Sequence, residues 1–147
     1  METTMYLQHE YRTGRKWVAR LPFEADLLQA LEEFAKEQGI RVGYGVVIGA
    51  VKKAMVGFYD QHQREYNSLE FDEPLEILHC TGNLSMRDGV HKVHMHLTLG
   101  NSYGFTVGGH LMPGTIVFAG EAVIEELGGP ELNRGYDGQT GLPLWEK

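Results

Sequence analysis

From Gly39 onward the apolar residues of this chain fall in short β-branched and aromatic runs broken by turn residues, a pattern that builds strands and leaves little room for helices. Strands are expected near 41–48, 51–59, 65–71, 75–84, 90–99, 104–111 and 115–126, with an earlier one over 16–21 stopped by Pro22. One segment departs from the pattern. Over 23–38, Leu27, Leu28, Leu31, Phe34 and Ala35 recur at three- and four-residue spacing, with Glu24 and Asp26 in the predicted first turn and Gly39 just past the end. That stripe is the core face of an amphipathic helix. The reading is α+β, dominated by sheet.

A chain of 147 residues can bury a core without disulfide help, and it carries no linker-like stretch and no internal repeat. One domain over 1–147 is expected. Its last segment, 128–147, is rich in glycine and proline and is expected to wrap the surface or to lie disordered in part. Gly43, Gly45 and Gly49 surround Val46, Val47 and Ile48, yet they have neither the order of a phosphate-binding glycine loop nor a helix start behind them. A bulge or a close backbone approach fits better.

The formal charge of −7 disfavours a phosphate backbone as partner. The densest basic stretch is Arg12, Arg15, Lys16 and Arg20, with Tyr11 and Trp17 interleaved, and it reads as the charged edge of a sheet. No apolar run is long enough to span a bilayer, and Met1–Glu10 does not resemble a secretion signal, so a cytoplasmic location is expected. Cys80 is the single cysteine, which rules out an internal disulfide and any thiolate-rich metal site within one chain, and it is expected to be a buried, inert thiol.

Histidine is where chemistry concentrates. In the strand containing His94, Met95 and His96, the odd positions Val93, Met95, Leu97 and Leu99 are apolar, so both histidines share the opposite face. The next strand keeps the phase: Phe105, Val107 and Leu111 are apolar, while Thr106, Gly108 and His110 alternate with them. A hairpin through Gly100–Gly104, centred on Ser102, would set His94 directly opposite His110, with His96 facing Gly108. Three neutral imidazoles brought together suit zinc or another divalent transition metal and leave a fourth tetrahedral position open. His91 has the wrong parity, and His9, His62 and His79 lie in unrelated segments. Glu76 and Cys80 occupy a neighbouring strand, in orientations the pattern does not fix. No Ser-His-Asp order, nucleophile elbow or paired-carboxylate catalytic motif is present.

These residues resemble the plant and prokaryote conserved (PPC) family. The resemblance runs through Arg20-Leu21-Pro22, Asp26-Leu27-Leu28, Leu31-Glu32-Glu33-Phe34, Gly49-Ala50, Pro74-Leu75-Glu76-Ile77-Leu78 and Gly82-Asn83-Leu84-Ser85, and it is strongest at His94-Met95-His96-Leu97 and Gly108-Gly109-His110-Leu111-Met112-Pro113-Gly114-Thr115. It implies a mainly antiparallel sheet with flanking helices, a homotrimer, and metal ligation by His94, His96 and His110. Plant members bind DNA through an AT-hook, whereas Thr13-Gly14-Arg15-Lys16 here lacks its Arg-Gly-Arg-Pro core. The leading expectation is a zinc-type site in a homotrimer that binds a small ligand or stabilises the fold. Three alternatives accompany it. One is a metal-dependent hydrolase with Glu76 shuttling protons. Another is a cupin-like barrel, disfavoured because no Glu ligand follows HisXHis. The last is a DNA-associated module.

Overall fold

A computed structural model describes residues 6–147 of the protein. Strand β1 (Arg12–Leu21) leads through Pro22 into helix α1 (Leu27–Gln38), and β2 (Gly43–Asp60), β3 (Glu65–Phe71), β4 (Leu75–Arg87), β5 (Val90–Gly100), β6 (Thr106–Leu111) and β7 (Ile116–Gly128) follow. Two short strands, β8 (Arg134–Tyr136) and β9 (Pro143–Trp145), close the chain. The sheet is antiparallel throughout, in the order β1-β7-β2-β4-β5-β6, with β3 on β2.

The helix is shorter than the apolar stripe suggests. Glu24 sits in the left-handed region (φ 63°) and donates its N–H to the Val117 carbonyl (2.8 Å), which stops helical winding upstream. Asp26 is therefore the N-cap, accepting from the Gln29 N–H (3.1 Å), and not a first-turn residue. Gly39 ends the helix in the left-handed conformation, as its place after the stripe predicts. The mainly antiparallel sheet is as expected, and among the described residues α1 is the one helix that flanks it. Leu27, Leu31 and Ala35 face the sheet and bury themselves against it, and Phe34 meets Trp17 edge-on at 5.6 Å.

Strand β2 joins the two strands expected over 41–48 and 51–59. The register with β4 shifts between Val47 and Gly49, where Gly49 (φ 140°) leaves no room for a Cβ beside the Ala119 carbonyl. Gly49 thus marks a bulge, and the strand continues through it. Its first half pairs with β4 and β7; its second half pairs with β3 and, through Val56 and Gly57, with Leu111 and His110 of β6. Strands β2, β4, β5 and β6 consequently form a closed circuit of pairing that holds His110 from both sides.

The basic stretch lies on β1 at the end of the strand order, as a charged edge should. Arg15 pairs with Glu126 (2.8 Å) and Lys16 with Glu125 of β7, so two of its four charges are matched. The segment after 128 folds back onto β4: Met86 donates its N–H to the Leu132 carbonyl (3.0 Å), and β8 pairs with β9. Among the described residues no helix is long and apolar enough to cross a membrane.

Candidate metal centre

The β5–β6 hairpin places the three histidines, in a register that differs from the one centred on Ser102. His96, not His94, lies opposite His110, and Gly108 lies opposite Thr98. The cause is the turn. Asn101 accepts from the N–H groups of Tyr103 (3.0 Å) and Phe105 (2.9 Å) through its side chain, its own N–H donates to the Phe105 carbonyl (2.9 Å), and Gly104 takes the left-handed conformation (φ 81°). These bonds centre the loop on Tyr103 and start β6 at Thr106, two residues after the expected Gly104. A slip of one residue would turn every side chain over, whereas this shift of the pairing by two preserves the face. His94, His96 and His110 still converge.

They converge closely. One ring nitrogen from each lies within 4.8 Å of the others, and the Nε2 atoms of His94 and His96 are 3.2 Å apart. Two nitrogens each bound at about 2.0–2.1 Å to a tetrahedral zinc would sit roughly 3.3 Å apart, so this pair already has the required separation. His110 Nδ1 is buried without a hydrogen-bond partner. His94 is pushed down to about 4, first by burial and then by His110, Arg134 and His96, and His110 is lowered by burial and by the same kind of neighbours. Both are held neutral at pH 7, the form in which imidazole ligates a metal. The residues present fit a borderline divalent ion.

Around the trio stand groups that the sequence pattern did not reveal. Tyr66 of β3 lies over His110 with ring centroids 4.8 Å apart. Arg134 of β8 reaches within 3.5 Å of His94 Nδ1 while donating to Asn83 Oδ1 (2.9 Å), Ser85 Oγ (3.2 Å) and the Pro143 carbonyl (3.1 Å). Only the proline and glycine of the tail were visible as a signal, and they pointed to a surface segment, not to an arginine at the site.

Other expectations divide. Cys80 is fully buried, its thiol pushed up to about 12 by burial, with Met95 sulfur 3.7 Å away, which makes it inert. Glu76 pairs with Gly100, whereas Thr81 is the β4 residue opposite His96. Five residues of strand separate them, roughly 16 Å. Glu76 lines a separate cleft with Lys52 and Phe118 and cannot exchange a proton with a group at the histidines. His79 shares a shallow cleft with His96 but is not part of the ligand group, and His91 points elsewhere, as its parity requires.

One row of side chains links this centre to the far edge of the sheet. Val18, Val123, Val46, Thr81, His96 and His110 are successive cross-strand partners on β1, β7, β2, β4, β5 and β6, so all face one side. Val18 is 81% exposed, and Val46 and Val123 are also open to solvent.

An antiparallel sheet closed on its longest strand, carrying one helix among the described residues and three histidines close enough to hold a metal, defines a small single-domain class of protein. Residues 8–128 match the Plants and Prokaryotes Conserved (PCC) domain, and the chain belongs to that family. A metal-containing protein from Archaeoglobus fulgidus is 41% identical and superposes with a TM-score of 0.92, over 97% of this chain and 100% of its own. A plant- and prokaryote-conserved protein from Pyrococcus horikoshii is 32% identical with a TM-score of 0.91, over 97% and 98%. A candidate DNA-binding protein from Bacteroides thetaiotaomicron is 29% identical with a TM-score of 0.83, over 92% and 96%. Part of the bifunctional protein GlmU of a Synechococcus strain is 34% identical over 111 residues, which cover 75% of this chain; the match spans 17% of that relative's length.

Proposed function

We propose that this protein is a metal-binding domain in which His94, His96 and His110 hold a divalent transition metal, zinc by preference, and leave one coordination position for a small ligand. The observation that carries the reading is the 3.2 Å approach of the His94 and His96 Nε2 atoms, with His110 in the same cluster. Similarity to a metal-containing protein supports it. Three imidazoles favour zinc and its neighbours over magnesium or calcium, which prefer oxygen. Such an ion supplies Lewis acidity at its open position. Among the described residues no aspartate or glutamate lines either cleft beside the histidines, which favours ligand binding over the proton shuttling of a hydrolase.

The assembly we propose is a homotrimer, supported by the exposed row of Val18, Val123 and Val46 that ends at the histidines, an apolar strip suited to a second copy of the same sheet. The site of action we propose is the cytoplasm, where the free thiol of Cys80 stays reduced. The paired Arg15 and Lys16 lend no support to a DNA-associated role.

Elemental analysis of tag-free protein purified without chelator, with its mass in solution, tests both statements. About one zinc per chain, lost in His96→Ala, and a mass three times that of the chain are expected. Protein that rejects added zinc would overturn the metal reading, and a monomer the trimer.

A further inference from the structure

Arg134 is a half-buried guanidinium whose partners are all neutral. Its donors go to Asn83, Ser85 and the Pro143 carbonyl, and the Trp145 ring lies over it at 4.9 Å. Ser85, only 1% exposed, also receives the Trp145 indole N–H (3.0 Å), so the guanidinium is locked in place. Charged groups removed from water are ordinarily paired with an opposite charge, because desolvation costs several kcal/mol for each ion. Here, among the described residues, no carboxylate pairs with it.

The cleft it borders repeats that imbalance. Arg87, Lys92, Arg134 and Tyr66 line it with His94 and His110, no acidic side chain does, and neither Arg87 nor Lys92 is ion-paired among the described residues. In a chain of net charge −7 this is a local cationic basin. Leu142–Leu144 supply an apolar wall, and the volume of the open cleft, about 210 Å³, falls below the ~300–1,000 Å³ of sites for drug-sized molecules.

The third observation is the contact between Arg134 and His94. Were a metal held at Nε2, the ring N–H of His94 would sit on Nδ1, 3.5 Å from an Arg134 nitrogen that can only donate. Two donors then face one another with no acceptor between them, and an anionic oxygen beside both would complete the arrangement.

We propose that this cleft binds the oxyanion group of a small acid, carboxylate or phosphate, with Arg134 as its fixed contact and Arg87 and Lys92 as its electrostatic rim. The inference rests on the metal reading for the ligand's other end, which reaches the open position at the histidines. Its cation cleft stands without the metal.

The test is calorimetric titration of the full-length protein, zinc-loaded and chelator-treated, with inorganic phosphate and separately with succinate. Zinc content is measured on the same samples. Binding of at least one probe is expected, weakened tenfold or more in Arg134→Gln. Because Arg134 also fastens the tail to β4, the exposed pair Arg87→Gln/Lys92→Gln is the second variant, expected to weaken binding several-fold and to flatten its salt dependence. Phosphate favoured over succinate would assign the site to phosphate esters, and the reverse to carboxylic acids. Absence of binding for both probes, or equal binding in the wild type and the double variant, would overturn the proposal. Protein that takes up no zinc but binds a probe through Arg87 and Lys92 would sink the metal reading alone.

Discussion

Replacing Gly108 by alanine separates metal binding from folding. A Cβ on Gly108 would fall about 0.7 Å inside the 3.0 Å closest approach of real Cβ atoms, against the Leu97 carbonyl oxygen, with Thr98 Cα at 3.3 Å behind it. These are backbone atoms of the paired strand, so no side chain can swing away, and β6 must back off from β5 by roughly that amount. His110 lies two residues further along β6 and moves with it, while metal–ligand distances tolerate only about 0.2 Å. Zinc affinity should fall at least tenfold, about 1.4 kcal/mol. The overpacking itself costs about 1–3 kcal/mol, which lowers the melting temperature by roughly 3–10 °C in a domain of this size. Isothermal titration with zinc, together with thermal melts in chelator, reads the two effects separately. Gly138→Ala, where an added Cβ meets nothing within 4 Å, is the matched control and should change neither. Zinc affinity within twofold of wild type in Gly108→Ala would refute the claim that strand spacing sets the site.

Two further predictions concern stability. Asp26 accepts from Gln29 N–H and from Gly114 N–H (2.7 Å), tying the helix start to the turn before β7, so Asp26→Ala should cost about 2–3 kcal/mol in chemical denaturation, and a loss below 0.5 kcal/mol would discount the double cap. His94 is depressed from 6.5 to about 4 in the fold, so between those values the unfolded chain binds more protons; chelator-treated protein should be unaffected above pH 6.5 and lose stability as pH falls towards 4, by about 1–2 kcal/mol once the ring's partial exposure is discounted. A flat denaturation profile over that interval would contradict the burial of His94.

The sequence carried the parts of this molecule that depend on local periodicity. The two-residue alternation through Val93–Leu99 put His94 and His96 on one face, and the same phase in β6 added His110. The helical stripe named Leu27, Leu31 and Ala35, all of which are buried. Register was less legible, because it hangs on two side-chain bonds from Asn101 and one left-handed glycine, features that move a hairpin's centre without touching its alternation. The glycines around Val46–Ile48 read as a bulge or a close backbone approach, and Gly49 is both, yet the continuity of β2 across it is not legible, since a turn and a bent strand share the same glycine signal. Arg134 and Tyr66 were invisible for another reason. They reach the histidines from β8 and β3, at 40 and 44 residues' remove along the chain, and no spacing rule connects them. Tertiary proximity alone makes them neighbours.

The C-terminal hairpin has an evolutionary consequence. The family match ends at residue 128, and the three histidines lie inside it, while Arg134, Trp145 and the wall formed by Leu142–Leu144 lie beyond. One stretch of sequence thus specifies the three histidines, and a separate short segment specifies much of what surrounds them. The β5–β6 pairing uses no residue of that segment, so selection can retune the neighbourhood of the histidines by editing residues 129–147 without touching the strands that place them. Relatives compared position by position should then differ more over residues 129–147 than at the three histidines, even where, as in the two archaeal structures, the likeness of fold extends over 97% of this chain.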